Sequence, residues 1–410
     1  MTEQQAKKSL YTLLLIVLLS CAGIALPYPI LAPLFLNEVN SFTNFAGIEP
    51  KLLLGFLLAV YPLGLLIGSS FIGAASDIYG RRKVLVITLI FSAVGYLLSV
   101  WALLSENYLL FALTRFITGI SEGNIAIAKA IAIDLSPPLD KTRNYSLVSA
   151  TTYAGWLLGP VVGGLLQPHG AYLAFLVAAV AMLFAIVVVY FYLGESNRSK
   201  MCQEHAHLSI RRVLYQNNSF TLLKHKPIRR LFYVFLFSTL ATNAYYEFYP
   251  LWLVESFNFS GPNIGFITAI LTTAMIISSI YLLPIVKAKY GLVKASKISM
   301  LCFALMMFAH ALLTETSSWF AYVFIGVAIA IYNAMLPIFA SEQFSDVSQG
   351  KLMGLITTTF SLSNVLMAII GSIISLYGSV YSIMFGGFLM LIAISILHFI
   401  EINENSEPPK

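Results

Sequence analysis

The chain is a succession of long apolar runs broken by short polar turns. Runs over residues 10–36, 52–75, 84–104, 108–134, 146–166 and 171–193 precede a polar, partly basic stretch. Runs over 231–254, 264–286, 298–313, 319–340, 352–376 and 380–400 follow it. A helix needs about 20 apolar residues to cross the hydrocarbon core of a bilayer. The pattern predicts an all-α membrane protein with twelve transmembrane helices, six on each side of one hydrophilic loop. The first run follows Lys7 and Lys8, but it is too long for a signal peptide and no small-residue cleavage site follows it. The expected division is a six-helix bundle over 1–195, a cytoplasmic linker over 196–228 and a second bundle over 229–410.

Basic residues orient the spans. With both termini cytoplasmic, Lys51 alone of the 24 Lys and Arg falls outside, while Arg115 and Lys129 lie within the fourth run. The remaining 21 are cytoplasmic, as the positive-inside rule requires. The halves also echo each other. Asp134 precedes Arg143 by nine residues and Glu342 precedes Lys351 by nine, while Tyr79-Gly80 and Tyr290-Gly291 close the second and eighth runs. Such repetition predicts two pseudo-symmetric bundles with substrate bound at mid-membrane between them.

The fourth run carries the chemistry. Read as one helix, it places Arg115, Glu122 and Lys129 at seven-residue spacing, where successive positions drift by only ~40° and form one polar stripe. Glu122 then lies near mid-membrane with a cation ~10 Å to either side. A charge there costs ~2.5–3.5 kcal/mol on insertion scales, so it faces a bundle interior or wet cavity. Mutual neutralisation of Arg115 and Glu122 as packing is the simpler alternative. Burial opposes ionisation of Glu122 and Arg115 favours it, a competition suited to a titrating switch.

Other polar groups inside spans are few. Asn243, Tyr246 and Glu247 lie with Pro250 in the seventh run, where Glu247 is either a proton carrier or an interfacial carboxylate in an aromatic belt. Tyr332 and Asn333 precede Pro337 in the tenth, and Asn364 lies in the eleventh, each as apt for packing hydrogen bonds as for ligand contact. Charged residues make up 10% of the chain against roughly 25% in soluble proteins. The net charge of +6 is spread over loops, not gathered on a face that would bind nucleic acid. Cys21, Cys202 and Cys302 are scattered, without disulfide or metal-ligand spacing. No cofactor or metal site is expected. Gly119-Ile-Ser121-Glu122-Gly123 fits the text pattern of a hydrolase nucleophile elbow, but that turn links a strand to a helix and here it lies inside a membrane span. No phosphate-binding loop appears. An enzyme is not expected.

Gly73-Ala-Ala-Ser-Asp77-Ile-Tyr-Gly80-Arg81-Arg82-Lys83-Val-Leu85 joins the second and third runs. It resembles the hallmark loop of the major facilitator superfamily, with Ala75 and Ile78 departing from the usual residues. The resemblance implies a cytoplasmic gate of Gly73, Asp77, Gly80, Arg81, Arg82 and Asp134 that latches the outward-facing state. Gly155-Trp-Leu-Leu-Gly159-Pro160-Val-Val-Gly163-Gly164 in the fifth run resembles the motif typical of the superfamily's proton-driven exporters. Arg115 with Gly119 resembles an RxxxG motif associated with proton transfer. Together these look most like the twelve-helix drug/proton antiporters of the tetracycline-exporter type, though Ser20 stands where those exporters carry an acid in the first helix.

The resemblance implies a proton-coupled exporter of a small amphipathic molecule, partnered by protons and the lipid bilayer and acting as a monomer in a bacterial inner membrane. Proton coupling is expected at Glu122, Arg115 and Glu247, and a substrate cavity at Lys129, Asn243, Tyr246, Tyr332, Asn333 and Asn364. The alternatives are proton-coupled uptake of a nutrient or siderophore-like compound, and a transport-dead sensor of the same fold.

Overall fold

Two prolines divide the first apolar run. Helix α1 (Glu3–Ala25) starts at a capping box between Thr2 and Gln5, and α2 (Tyr28–Asn37) restarts after Pro27, whose ring rules out a regular interior hydrogen bond at that point. The computed structural model describes the backbone of residues 2–122, 124–135, 138–194, 219–344, 347 and 349–406. Most of the expected linker and Gly123 lie outside the described residues, as do the side-chain positions of Gly73, Asp77, Lys129 and Arg143.

The helices that follow are α3 (Pro50–Tyr79), α4 (Arg81–Leu104), α5 (Tyr108–Ser121), α6 (Asn124–Asp134), α7 (Lys141–Leu166) and α8 (Ala171–Tyr192). After the linker come α9 (Lys226–Phe257), α10 (Gly261–Ile277), α11 (Leu283–Tyr290), α12 (Leu292–Ala309), α13 (Glu315–Gln343), α14 (Gln349–Ser375) and α15 (Ser379–Ser406). Among the described residues, nine helical stretches are long and apolar enough to cross a membrane. A π turn over Ser278–Leu282 joins α10 to α11. It precedes Pro284, which has no N–H to donate to the preceding turn.

The fourth run departs from its expected form. It is not one helix: α5 ends at Ser121, Glu122 caps it with φ −84° and ψ 24°, and α6 begins at Asn124. The seven-residue register therefore does not carry from Glu122 to Lys129. Glu122 sits at a helix end, where backbone groups lose their regular partners.

The chain forms two compact units. The first comprises Met1–Leu53, Val60–Gln216 and Ser260–Phe266, and the second Leu54–Ala59, Asn217–Phe259 and Ile267–Lys410. In the first, α1 packs on α7 and α8, and α4 packs on α5 and α8; in the second, α9 packs on α14 and α15, and α12 on α13 and α15. Lipid removes the hydrophobic drive between helices, so small residues permit the close contacts. On α7, a Cβ at Gly155 would come within 3.0 Å of Leu18 O, and one at Gly159 within 2.6 Å of Ala22 O. Large apolar side chains such as Phe91, Phe184, Phe320 and Phe388 are exposed instead, as a surface facing acyl chains allows.

Candidate functional site

Backbone contact between α3 and α5 builds the site in the first unit. A Cβ on Gly68 would lie 2.6 Å from the carbonyl carbon of Ile120, and one on Gly64 would lie 3.2 Å from Gly119 Cα. Side chains at these positions would hold the helices apart. Their absence lets Tyr61, on α3, donate its hydroxyl to Glu122 Oε2. Tyr96, from α4, donates to Glu122 Oε1 at 2.5 Å. Glu122 is only 2% exposed, so these two O–H groups supply what water would otherwise provide.

Arg115, one helix face above, packs its guanidinium against the same rings. Its Cζ is 4.4 Å from the Tyr61 ring centroid, 5.8 Å from that of Tyr96 and 5.6 Å from that of Phe175. Both tyrosines therefore touch both charges. Cations held over aromatic faces gain electrostatic stabilisation that increases when water is excluded. Arg115 Nη1 makes no hydrogen bond among the described residues. Sequence reasoning passed over Tyr61 and Tyr96. The signal available was a Gly64-x-x-x-Gly68 pair one turn beyond Tyr61.

Polar order continues around the helix break. Ser92 and Ser121 share a hydrogen bond of 3.2 Å, and Ser99 and Thr114 share one of 2.8 Å. Asn124 Nδ2 donates to Ser20 Oγ at 3.1 Å, whereas its Oδ1 has no partner among the described residues. Ser20 thus lies in contact with the first turn of α6.

At the turn between α3 and α4, Gly80 adopts φ 101°, a conformation that a side chain would strain. Arg81 Nε donates to Asp134 Oδ2, and the Asp134 side chain is 1% exposed. Arg82 departs from this pair: its Nη2 donates to the Tyr190 carbonyl at 2.7 Å. Of the α7 motif, Gly155, Gly159 and Gly163 meet residues 18–26, and Gly164 meets Gly261 and Gly265. A Cβ on Gly265 would in turn come within 2.5 Å of the Pro160 carbonyl.

The second unit holds a separate set of polar groups. Asn243 Nδ2 donates to the Phe360 carbonyl at 3.2 Å, and Asn364 Nδ2 approaches Asn243 Oδ1 at 3.4 Å. Tyr332 and Thr242 share a 2.6 Å hydrogen bond, and the Tyr246 hydroxyl approaches Met275 Sδ at 3.5 Å. Asn333 is exposed and is not drawn into these contacts. Glu247 is 5% exposed, and neither carboxylate oxygen has a hydrogen-bond partner among the described residues.

Long apolar helices with buried charges at a helix break define an integral, multi-pass membrane protein. The chain belongs to the Major Facilitator Superfamily, whose sequence profile it matches over residues 13–363. It is therefore a secondary transporter of small molecules, not an enzyme. It is 26% identical over 372 residues to the class C tetracycline resistance protein of Escherichia coli, covering 88% of each chain. It is 30% identical over 191 residues to the class H tetracycline resistance protein of Pasteurella multocida, covering 47% of this chain and 46% of that protein. The latter match spans about half the relative's length. The fold is also that of a D-xylose–proton symporter crystal structure, with a TM-score of 0.75 at 17% identity, covering 95% of this chain and 96% of that one.

Proposed function

We propose that this transporter exports a small amphipathic molecule in exchange for protons, and that Glu122 carries the proton. The carboxylate of Glu122 at the α5–α6 break, held by Tyr61 and Tyr96, is the observation that carries this reading. A hydroxyl donates to a carboxylate but turns to accept once that oxygen is protonated. Loading a proton on one oxygen of Glu122 therefore reverses the tyrosine contact at that oxygen and weakens the other, which now donates to an uncharged carboxyl, and Arg115 over the same rings responds to the loss of charge. That links protonation to movement of α3, α4 and α5, as alternating access requires.

The remaining roles belong to the same proposal. Asp77, Arg81, Arg82 and Asp134 latch the cytoplasmic side in the outward-facing state. Lys129, Asn243, Tyr246, Tyr332, Asn333 and Asn364 contribute to the substrate cavity, and Glu247 is the second candidate carrier. The six-helix segments 1–195 and 229–410 act as two bundles, with both termini cytoplasmic, in a bacterial inner membrane. The two tetracycline resistance relatives support efflux.

Uptake of an anionic nutrient or siderophore-like compound with protons is the second reading. Arg115 Nη1 favours it, because a buried guanidinium nitrogen with no hydrogen-bond partner among the described residues suits an anion. Proteoliposomes with an internal pH dye separate the two. Cationic dyes, anionic metabolites and siderophores are added in turn under an imposed proton gradient. Proton movement opposite to that of a cationic or neutral amphipath supports export. Movement in the same direction as an anion supports uptake and overturns export.

A further inference from the structure

A groove of about 530 Å³ opens on the first unit between α3, α4 and α5. Its wall includes Ile72, Ile87, Phe91, Ile117 and Ile120, and Lys83 stands at the end nearest the Gly80 turn. Ile87 and Phe91 are exposed on α4, which is long and apolar enough to cross a membrane, and Ile117 is exposed on the apolar α5, so the groove opens toward acyl chains. Of the three hydroxyl-bearing residues in the wall, Tyr79 adjoins the Gly80 turn, and the other two offer little to a polar ligand. Thr88 Oγ1 donates to the Leu85 carbonyl at 2.9 Å, and Ser121 Oγ to the Thr118 carbonyl at 2.9 Å. Among the described residues that line the groove, Lys83 alone carries a charge.

We propose that this groove is a binding site for one anionic phospholipid of the leaflet on which the Gly80 turn lies. One acyl chain fills the groove, and the headgroup phosphate pairs with Lys83. From Lys83 to Phe91 the helix rises ~12 Å, which is enough to shelter much of one chain's upper half. Charge decides the class of lipid. A lysine at the membrane surface favours an anionic headgroup by about fivefold, and the apolar wall holds the chain of any phospholipid.

The bound lipid also touches the transport machinery. Ile120 and Ser121 in its wall immediately precede Glu122, and Lys83 follows Arg81, the partner of Asp134, by two residues. Occupancy braces α5 against α3 and α4, which form the other two sides of the groove.

Native mass spectrometry of delipidated protein tests the assignment, with palmitoyl-oleoyl phosphatidylglycerol or phosphatidylcholine added back. Wild type should retain one phosphatidylglycerol about fivefold better than phosphatidylcholine. Lys83→Gln should bind the two equally, and Lys83→Arg should restore the preference. Ile117→Trp fills the groove and should lose both lipids. Thermal melts of each variant report whether it is folded, and Lys83→Arg preserves the comparison if Ile117→Trp is not. Unchanged phosphatidylglycerol preference in Lys83→Gln, or unchanged retention in a folded Ile117→Trp, would overturn the proposal.

Discussion

Tyr96 touches both charges of the α5 segment, donating its hydroxyl to Glu122 at 2.5 Å while its ring centroid lies 5.8 Å from the Arg115 guanidinium. Neither contact comes from α5 itself. The carboxylate and the arginine are thus read by a neighbouring helix, and a change in either charge is felt by α4.

Tyr96→Phe keeps the ring and deletes only the hydroxyl. A hydrogen bond to a charged group contributes about 1.5–3 kcal/mol, so proton-coupled transport should slow about tenfold or more. Tyr61→Phe should act similarly, and the double variant should be worse than either. Initial rates in proteoliposomes check this.

Gly68→Ala should separate α3 from α5, because the added Cβ meets the backbone of Ile120 and not a yielding side chain. Overpacking of this kind costs about 1–3 kcal/mol. Gly291→Ala provides a contrast: it has φ 70° but open space around the Cβ, so its cost is conformational and local. Thermal melts should show a larger fall for Gly68→Ala, accompanied by loss of transport.

Arg81 and Asp134 differ in exposure, 15% against 1% for their side chains. Removing Arg81 leaves the more deeply buried charge behind, whereas removing Asp134 leaves a cation closer to water. Breaking a buried pair costs about 3–5 kcal/mol when one charge remains. Arg81→Gln should therefore destabilise more than Asp134→Asn, and the double variant should recover part of the loss. A double-mutant cycle on melting temperature measures it.

Glu247 has no hydrogen-bond partner for either oxygen among the described residues. Burying such a group is unfavourable. Glu247→Gln should therefore melt at the same temperature or higher than wild type, and it should retain proton coupling if Glu122 is the carrier.

The twelve apolar runs are legible because a bilayer demands length and apolarity that few soluble helices have. The break at Glu122 is harder to see. Gly123-Asn124 is a stop-and-start signal, but the surrounding apolar residues read as one continuous span. Arg115 and Glu122 stand out in the sequence because charge inside a span is rare. Tyr61 and Tyr96 do not, because tyrosine among apolar residues also suits packing. Their role appears only when Gly64, Gly68 and Gly119 bring the helices together. Asn333 shows the converse: its neighbour Tyr332 is buried against Thr242, while Asn333 is exposed, and adjacent positions on a helix point about 100° apart.

Substrate counterflow beside proton-driven transport, for Glu122→Gln and wild type, tests the proton-carrier assignment most directly. Counterflow needs binding and alternating access but no net proton movement. Glu122→Gln should retain counterflow and lose transport driven by a pH gradient, with no substrate-triggered proton flux. Gradient-driven transport and proton flux at the wild-type rate in Glu122→Gln would contradict the assignment.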